Sequence, residues 1–159
     1  MKRLISCLTA ICLAVLLPVS ALAGDNGYKV KYDGGSVTDV KTGATLRLVL
    51  SGNTIRLLDK KSPVVTIPAS SVTEISYGQD VHRRVGAAIG LATVSLGVGA
   101  LMALTKSKKH FVGITWINGS QKGGFAMQCD KSDYRGILTG LEGLTGKKAV
   151  DSDAMTVKN

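Results

Sequence analysis

At 159 residues, with 20 Lys and Arg against 11 Asp and Glu for a formal charge of +9, the chain is long enough for one modest domain and too short for two large ones. Aromatic residues make up 4%, so few side chains can stack on bases, and anionic lipid suits the positive charge better than nucleic acid does. Two of the three cysteines, Cys7 and Cys12, lie near the N-terminus, which leaves Cys129 alone in the remainder and excludes a disulfide within it.

The opening stretch MKRLISCLTAICLAVLLPVSALA carries a basic start at Lys2 and Arg3, an apolar run from Leu4 to Leu17, and a small-residue end at Ala21-Leu22-Ala23. Those parts in that order describe a secretory signal peptide over residues 1–23. Pro18 breaks the apolar helix ahead of the cleavage point, leaving extended chain for a peptidase. The expected destination is the periplasm or cell envelope.

From Gly24 onward the pattern is that of short strands. YKVKY alternates Tyr28, Val30 and Tyr32 with Lys29 and Lys31, a strand with one wet face, and Asp33-Gly34-Gly35 then turns the chain. SVTDVKTGA reads as a weak strand or a loop. In TLRLVLSGNTIRLLD, Leu46, Leu48 and Leu50 alternate with Arg47 and Val49, a turn falls at Ser51-Gly52-Asn53, and Ile55 and Leu57 resume beyond it, predicting a hairpin. VVTIPASSVTEISYG predicts two further strands, with Pro68 at an edge or a bend because it cannot donate to a sheet ladder.

The period then disappears. Val85 to Leu104 is a run of twenty residues without a charge, fenced by Arg83 and Arg84 on one side and by Lys106, Lys108 and Lys109 on the other. As a helix it would rise about 30 Å, the thickness of a bilayer's hydrocarbon core. Three arrangements compete: a single span, a membrane-inserted hairpin whose ends return to one side, and a hairpin packed within a soluble domain. The hairpin is favoured, because a single span would put a membrane between the two groups of strands and leave each with open edges and a marginal core. In this reading Arg83, Arg84, Lys106, Lys108 and Lys109 hold anionic headgroups. Gly86 and Gly90, and likewise Ser95, Gly99 and Ala103, recur at the small-residue spacing that lets helices pack closely, including those of a second copy in a homo-oligomer.

Beyond the segment, HFVGITWI carries bulk on both faces and predicts a central strand. NGSQKGG turns it into the strand FAMQCD, in which Cys129 suits a half-buried position. DKSDYRGILTGLEGLTGKK changes to a helical period, with Tyr134, Ile137, Leu138, Leu141 and Leu144 on one stripe, Asp130 or Ser132 as the cap, and Gly146 at the end. Residues 149–159 read as a flexible tail.

The fold expected is therefore mainly β (α+β), a single domain over residues 24–148 interrupted by the 85–104 insert and finished by one C-terminal helix. On the strength of IPASSVTEISYG, HFVGITWINGSQKGGFAMQ and DKSDYRGILTGLEGL, it resembles a PH/GRAM-like domain. It also resembles small exported bacterial proteins of unassigned function that carry a Gly-rich apolar insert in such a domain. The resemblance implies a bent antiparallel sheet or small barrel closed by its last helix. The phosphoinositide ligand of many PH domains is not implied, because their compact basic loop pattern is missing from this sequence.

No catalytic constellation stands out, and no cofactor is expected. His82 and His110 flank the apolar segment and, with Asp80, would make an incomplete metal set; boundary residues describe them more simply. Ser70 and Ser71 sit in a turn with no base indicated. The function expected is that of a membrane-associated, non-enzymatic envelope protein in lipid contact or acting as a structural module. The alternative is a soluble periplasmic ligand- or protein-binding domain whose Gly-rich segment packs.

Overall fold

The computed structural model describes residues 27–90 and 109–155. The strands run β1 (Tyr28–Gly35), β2 (Thr45–Ser51), β3 (Thr54–Asp59), β4 (Ser62–Pro68), β5 (Val72–Tyr77), β6 (His110–Asn118), β7 (Gln121–Cys129) and β8 (Ala149–Asp151). Two α-helices accompany them, α1 (Val81–Ile89) and α2 (Tyr134–Thr145), with single 3-10 turns at Ala69–Ser71 and Asp153–Met155. The signal-peptide reading of residues 1–23 and most of the apolar segment fall outside the described residues.

All eight strands join one open sheet in the order β4-β3-β2-β1-β7-β6-β5-β8. Successive antiparallel hairpins build β1 to β4, as short polar connections require. The sheet continues where β1 pairs antiparallel with β7, and β5 lies against β6 on the far side of that hairpin. Pro68 ends the edge strand β4, where its missing N–H breaks no ladder. Residues 36–44 form a loop rather than a strand, tied at its base by Tyr32 N–H donating to Ala44 O and Gly43 N–H donating to Tyr32 O. The turn expected over Asn118 to Gly124 is shorter than the sequence suggests, because β7 begins at Gln121. Gly123 there lies opposite Trp116, so an aromatic ring covers the backbone that a glycine leaves bare.

Strand alternation sorts the side chains into two layers. On the inner face Val30, Leu48, Ile55, Ile114, Phe125 and Met127 meet Ile137 and Leu141 of α2 to form the main core. At ~25 cal/mol per Å² of apolar area, each such side chain contributes about 1.5 to 3 kcal/mol, and this burial holds a helix that contains three glycines. Asp133 occupies the cap position of α2 without a side-chain capping bond, its carboxylate accepting from Ser132 Oγ instead, and the backbone carbonyl of Asp130 accepts from Asp133 and Tyr134 N–H in place of the expected side-chain cap. On the outer face a smaller cluster of Val81, Val85, Phe111 and Ala126, with Ile89 at its margin, packs α1 onto β6 and β7. β6 is thus central and covered on both faces, as its composition implies.

Cys129 belongs to the main core, and burial pushes its thiol up to about 12, with Asp130 and Asp133 adding to the shift. Since the thiolate is the reactive form, Cys129 is expected to resist a thiol reagent at mildly alkaline pH and to react only as the protein unfolds in denaturant. Rapid stoichiometric labelling of the native protein would contradict the placement.

Two expectations about the apolar segment are corrected here. The single span fails because β5 and β6, which flank the segment, are hydrogen-bonded neighbours from Val72↔Trp116 to Tyr77↔Val112. The transmembrane helix fails as well: no helix among the described residues is long and apolar enough to cross a membrane. Its first residues instead form the end of α1, which is 9 residues long and stops where Gly90 turns left-handed at φ 74°. Val85, expected to open the membrane segment, is fully buried against the sheet.

Candidate functional site: the root of the apolar segment

The site is built around α1, which carries Val81, Val85 and Ile89 at i, i+4 and i+8 on its sheet-facing side. Helix and sheet approach closely because Gly113 and Gly124 have no side chains. A Cβ on Gly113 would lie 2.6 Å from Val81 Cγ1 and 2.7 Å from Val85 Cγ2, and one on Gly124 would lie 3.0 Å from Ile89 Cγ2. Together with Ala126, which pairs with Gly113 across β6 and β7, these residues make a shallow trough for the helix.

Three polar anchors fix α1 in that trough. At its N-terminus Asp80 makes no side-chain cap; the carboxylate of Asp153 accepts instead from the N–H of Gln79 at 2.7 Å and of Asp80 at 3.1 Å. This places negative charge at the positive end of the helix dipole. Asp153 is held there because β8 pairs in parallel with β5 and Ser152 N–H donates to Tyr77 O at 2.7 Å. The chain beyond Lys148, expected as a tail, therefore starts as part of the sheet. On one flank of the helix, Arg84 forms a two-point pair with Glu74 of β5, Nε to Oε1 at 2.6 Å and Nη2 to Oε2 at 2.8 Å, while its Nη1 is buried without a partner. On the other flank, His82 Nε2 meets Asp33 Oδ2.

Asp33 follows Lys29 and Lys31 at every second position of β1 and so points with them to the face that carries α1, and the register against β7 shifts between Tyr32 and Gly34, a bulge at this residue. Only 7% of the Asp33 side chain is exposed, and its carboxyl is raised above the usual range, chiefly by burial and against the opposing pull of His82 and Lys109. The His82 ring stands edge-on to Phe111 at 5.2 Å, and Lys109 is steadied by its carbonyl, which accepts from Gln79 Nε2 at 2.6 Å.

The expected lipid contacts divide accordingly. Arg83 is exposed, but Arg84 is committed to Glu74 and cannot serve as a free headgroup contact. Lys109 is half-buried near Asp33, and Lys106 and Lys108 fall outside the described residues. Among the helix-packing candidates, Gly86 is buried in α1, Gly90 is its exposed C-cap rather than a packing residue, and Ser95, Gly99 and Ala103 fall outside. His82 and His110 do not converge. His82 faces Asp33 on the outer side, whereas the His110 ring lies 4.6 Å from that of Tyr134 at the start of α2. Among the described residues no group of three or more His, Cys, Asp or Glu could hold a metal ion.

Chemically, a carboxylate behind an imidazole can orient a general base. The hydroxyl of Ser36, however, is tied to the backbone of Gly124, donating to its carbonyl at 3.2 Å and accepting from its N–H at 3.0 Å, and Cys129 lies on the inner face. The pair acts here as a link between β1 and α1. Asp33 and Asp153 were missed because each sits in a stretch that reads as turn or tail. The one local signal was Asp33 itself, the next polar position of the YKVKY alternation after Lys29 and Lys31.

No protein-family model matches the chain, and no curated protein matches it.

Proposed function

We propose that the protein is an exported, non-enzymatic module of the cell envelope, built on a PH/GRAM-like sheet, that lies against an anionic lipid surface on the outer face of that sheet. The supporting observation is the geometry of the root. Ile89 lies against Gly124 one residue before Gly90 ends α1, and Lys109 lies near Asp33 with its carbonyl bonded to Gln79, so Gly90 and Lys109 stand on one face of one sheet. In sequence the stretch between them is apolar up to Leu104 and basic after it, and exposed Arg83 adds charge on the same helix. Such a segment adds apolar burial and headgroup attraction at one surface without crossing it. The PH/GRAM-like reading is supported by the meeting of β1–β4 with β5–β7 through β1 and β7, and by α2 across the inner face.

Burial of Val85 and Gly86 in α1 favours a second reading for the start of the segment, a packing element of a soluble binding domain. Vesicle flotation separates the two. The full chain is expected to float with vesicles containing phosphatidylglycerol, to float less with phosphatidylcholine alone, and to be released by alkaline carbonate. A lipid-indifferent, monodisperse oligomer would favour the second reading and sink the first.

A further inference from the structure

The outer face of the sheet beside α1 carries a strip of cations that the apolar segment's basic fence does not include. Lys29 and Lys31 of β1 and Arg47 of β2 are all exposed, and Lys29 stands directly across from Arg47 in the strand register. Like charges so placed repel, and no described acid forms an ion pair with any of the three. Lys31 is flanked in register by Thr45 and Gln128, both neutral. The three residues lie within strands β1 and β2, away from the connection 36–44, and point to one face of the sheet.

Alternation fixes which face this is. Val30, Tyr32, Leu46 and Leu48 enter the main core, so Lys29, Lys31 and Arg47 point to the opposite side, where α1 packs and where Gly90 and Lys109 mark the ends of the apolar segment. The Asp33–His82 link joins this same strand β1 to α1, so strip and segment root are held as one surface.

We infer that Lys29, Lys31 and Arg47 form the headgroup-contacting surface of the protein and that their partner is an anionic bilayer. The inference rests on the lipid-surface reading above and transfers its electrostatic part from the fence to the sheet. An array of unpaired cations on one face of a sheet complements a surface of negative headgroups, and each cation brought to such a surface strengthens binding about fivefold. Nucleic acid fits less well, since strand positions 29, 31, 45 and 47 hold no aromatic side chain on which a base could stack.

The test uses the full chain and phosphatidylglycerol-containing vesicles, comparing Lys29→Gln/Lys31→Gln/Arg47→Gln with Lys60→Gln/Lys61→Gln/Lys131→Gln, which removes the same charge from exposed positions at the β3–β4 turn and beside the start of α2. Both should unfold at the temperature of the parent. The first is expected to bind roughly a hundredfold more weakly and the second to stay within a few-fold of the parent. Equal losses in the two variants, or parent-like binding by the first, would overturn the strip while leaving the lipid-surface reading in place. Failure of the parent itself to bind these vesicles would overturn both. Salt-sensitive binding to duplex DNA that disappears in the first variant, with vesicle binding unchanged, would replace the lipid partner with nucleic acid.

Discussion

Gly113→Val is expected to destabilise the protein by about 3 kcal/mol, near the upper end of what overpacking a core costs. Position 113 lies in the middle of β6, and the first added carbon alone meets Val81, Val85 and Ser76 at 2.6 to 2.7 Å. Two of those neighbours belong to the helix and the third is a buried strand residue, so relief requires α1 to lift from the sheet. Lifting α1 strains the Asp33–His82 and Arg84–Glu74 pairs and exposes Phe111 and Ala126. The loss is read as a lower urea midpoint at unchanged slope. A midpoint equal to that of the parent would mean that α1 does not sit where the structure places it.

His82→Ala is the second large effect, about 2 kcal/mol near neutral pH, because it strands a buried carboxylate that has lost its side-chain partner. Its pH dependence follows from the direction of the Asp33 shift. The folded-state value of this carboxyl lies above its ordinary 3.8, so the folded protein holds that proton more tightly than the unfolded chain. The stability contributed is full below 3.8 and is lost as pH rises through the raised folded value. Removing the imidazole takes away the larger of the two lowering influences and leaves only that of Lys109, so the carboxyl rises further. The gap between parent and His82→Ala should therefore narrow as pH falls from neutrality, since a protonated Asp33 carries no buried charge for a partner to offset. Asp33→Asn should cost less at neutral pH and remove the pH dependence that this site contributes. Urea unfolding of the three proteins at neutral and mildly acidic pH reads the effect, and a gap that widens on acidification would contradict the assignment.

The strands were legible wherever one face is wet. Lys29 and Lys31 against Val30 and Tyr32, and Arg47 against Leu46 and Leu48, give a clean period of two, and both proposed hairpins lie where that period indicates. Bulk on both faces marked β6 as central, and the stripe of α2 placed Ile137 and Leu141 in the core. The apolar segment was harder because its start reads as uniform. Val85 belongs to a stripe that opens at Val81, ahead of the uncharged run, and the trough that receives it is made by Gly113 and Gly124, which in sequence look only like weak points of a strand.

Ion pairing defeated local reading in a different way. Arg83 and Arg84 look equivalent in the sequence, yet neighbouring residues on a helix point about 100° apart, so one meets water while the other meets Glu74. The partners of His82 and of the α1 N-terminus, Asp33 and Asp153, come from β1 and from the stretch after β8, and only the assembled sheet brings them there. The cation strip escaped notice for a related reason. Lys29 and Arg47 become neighbours through strand register, and clustering along the chain does not reveal it.

Val81 to Ile89 form a helix docked on the outer face of a single sheet, where the first residues of the uncharged run are buried. Through-space NMR contacts from the Val85 methyls, measured in lipid-free buffer, test this docking most directly. The docked helix should give contacts to the α-protons of Gly113 and Gly124 and to the Ala126 methyl. Val85 methyls that show none of these, and that instead contact detergent or lipid tails once those are added, would contradict it.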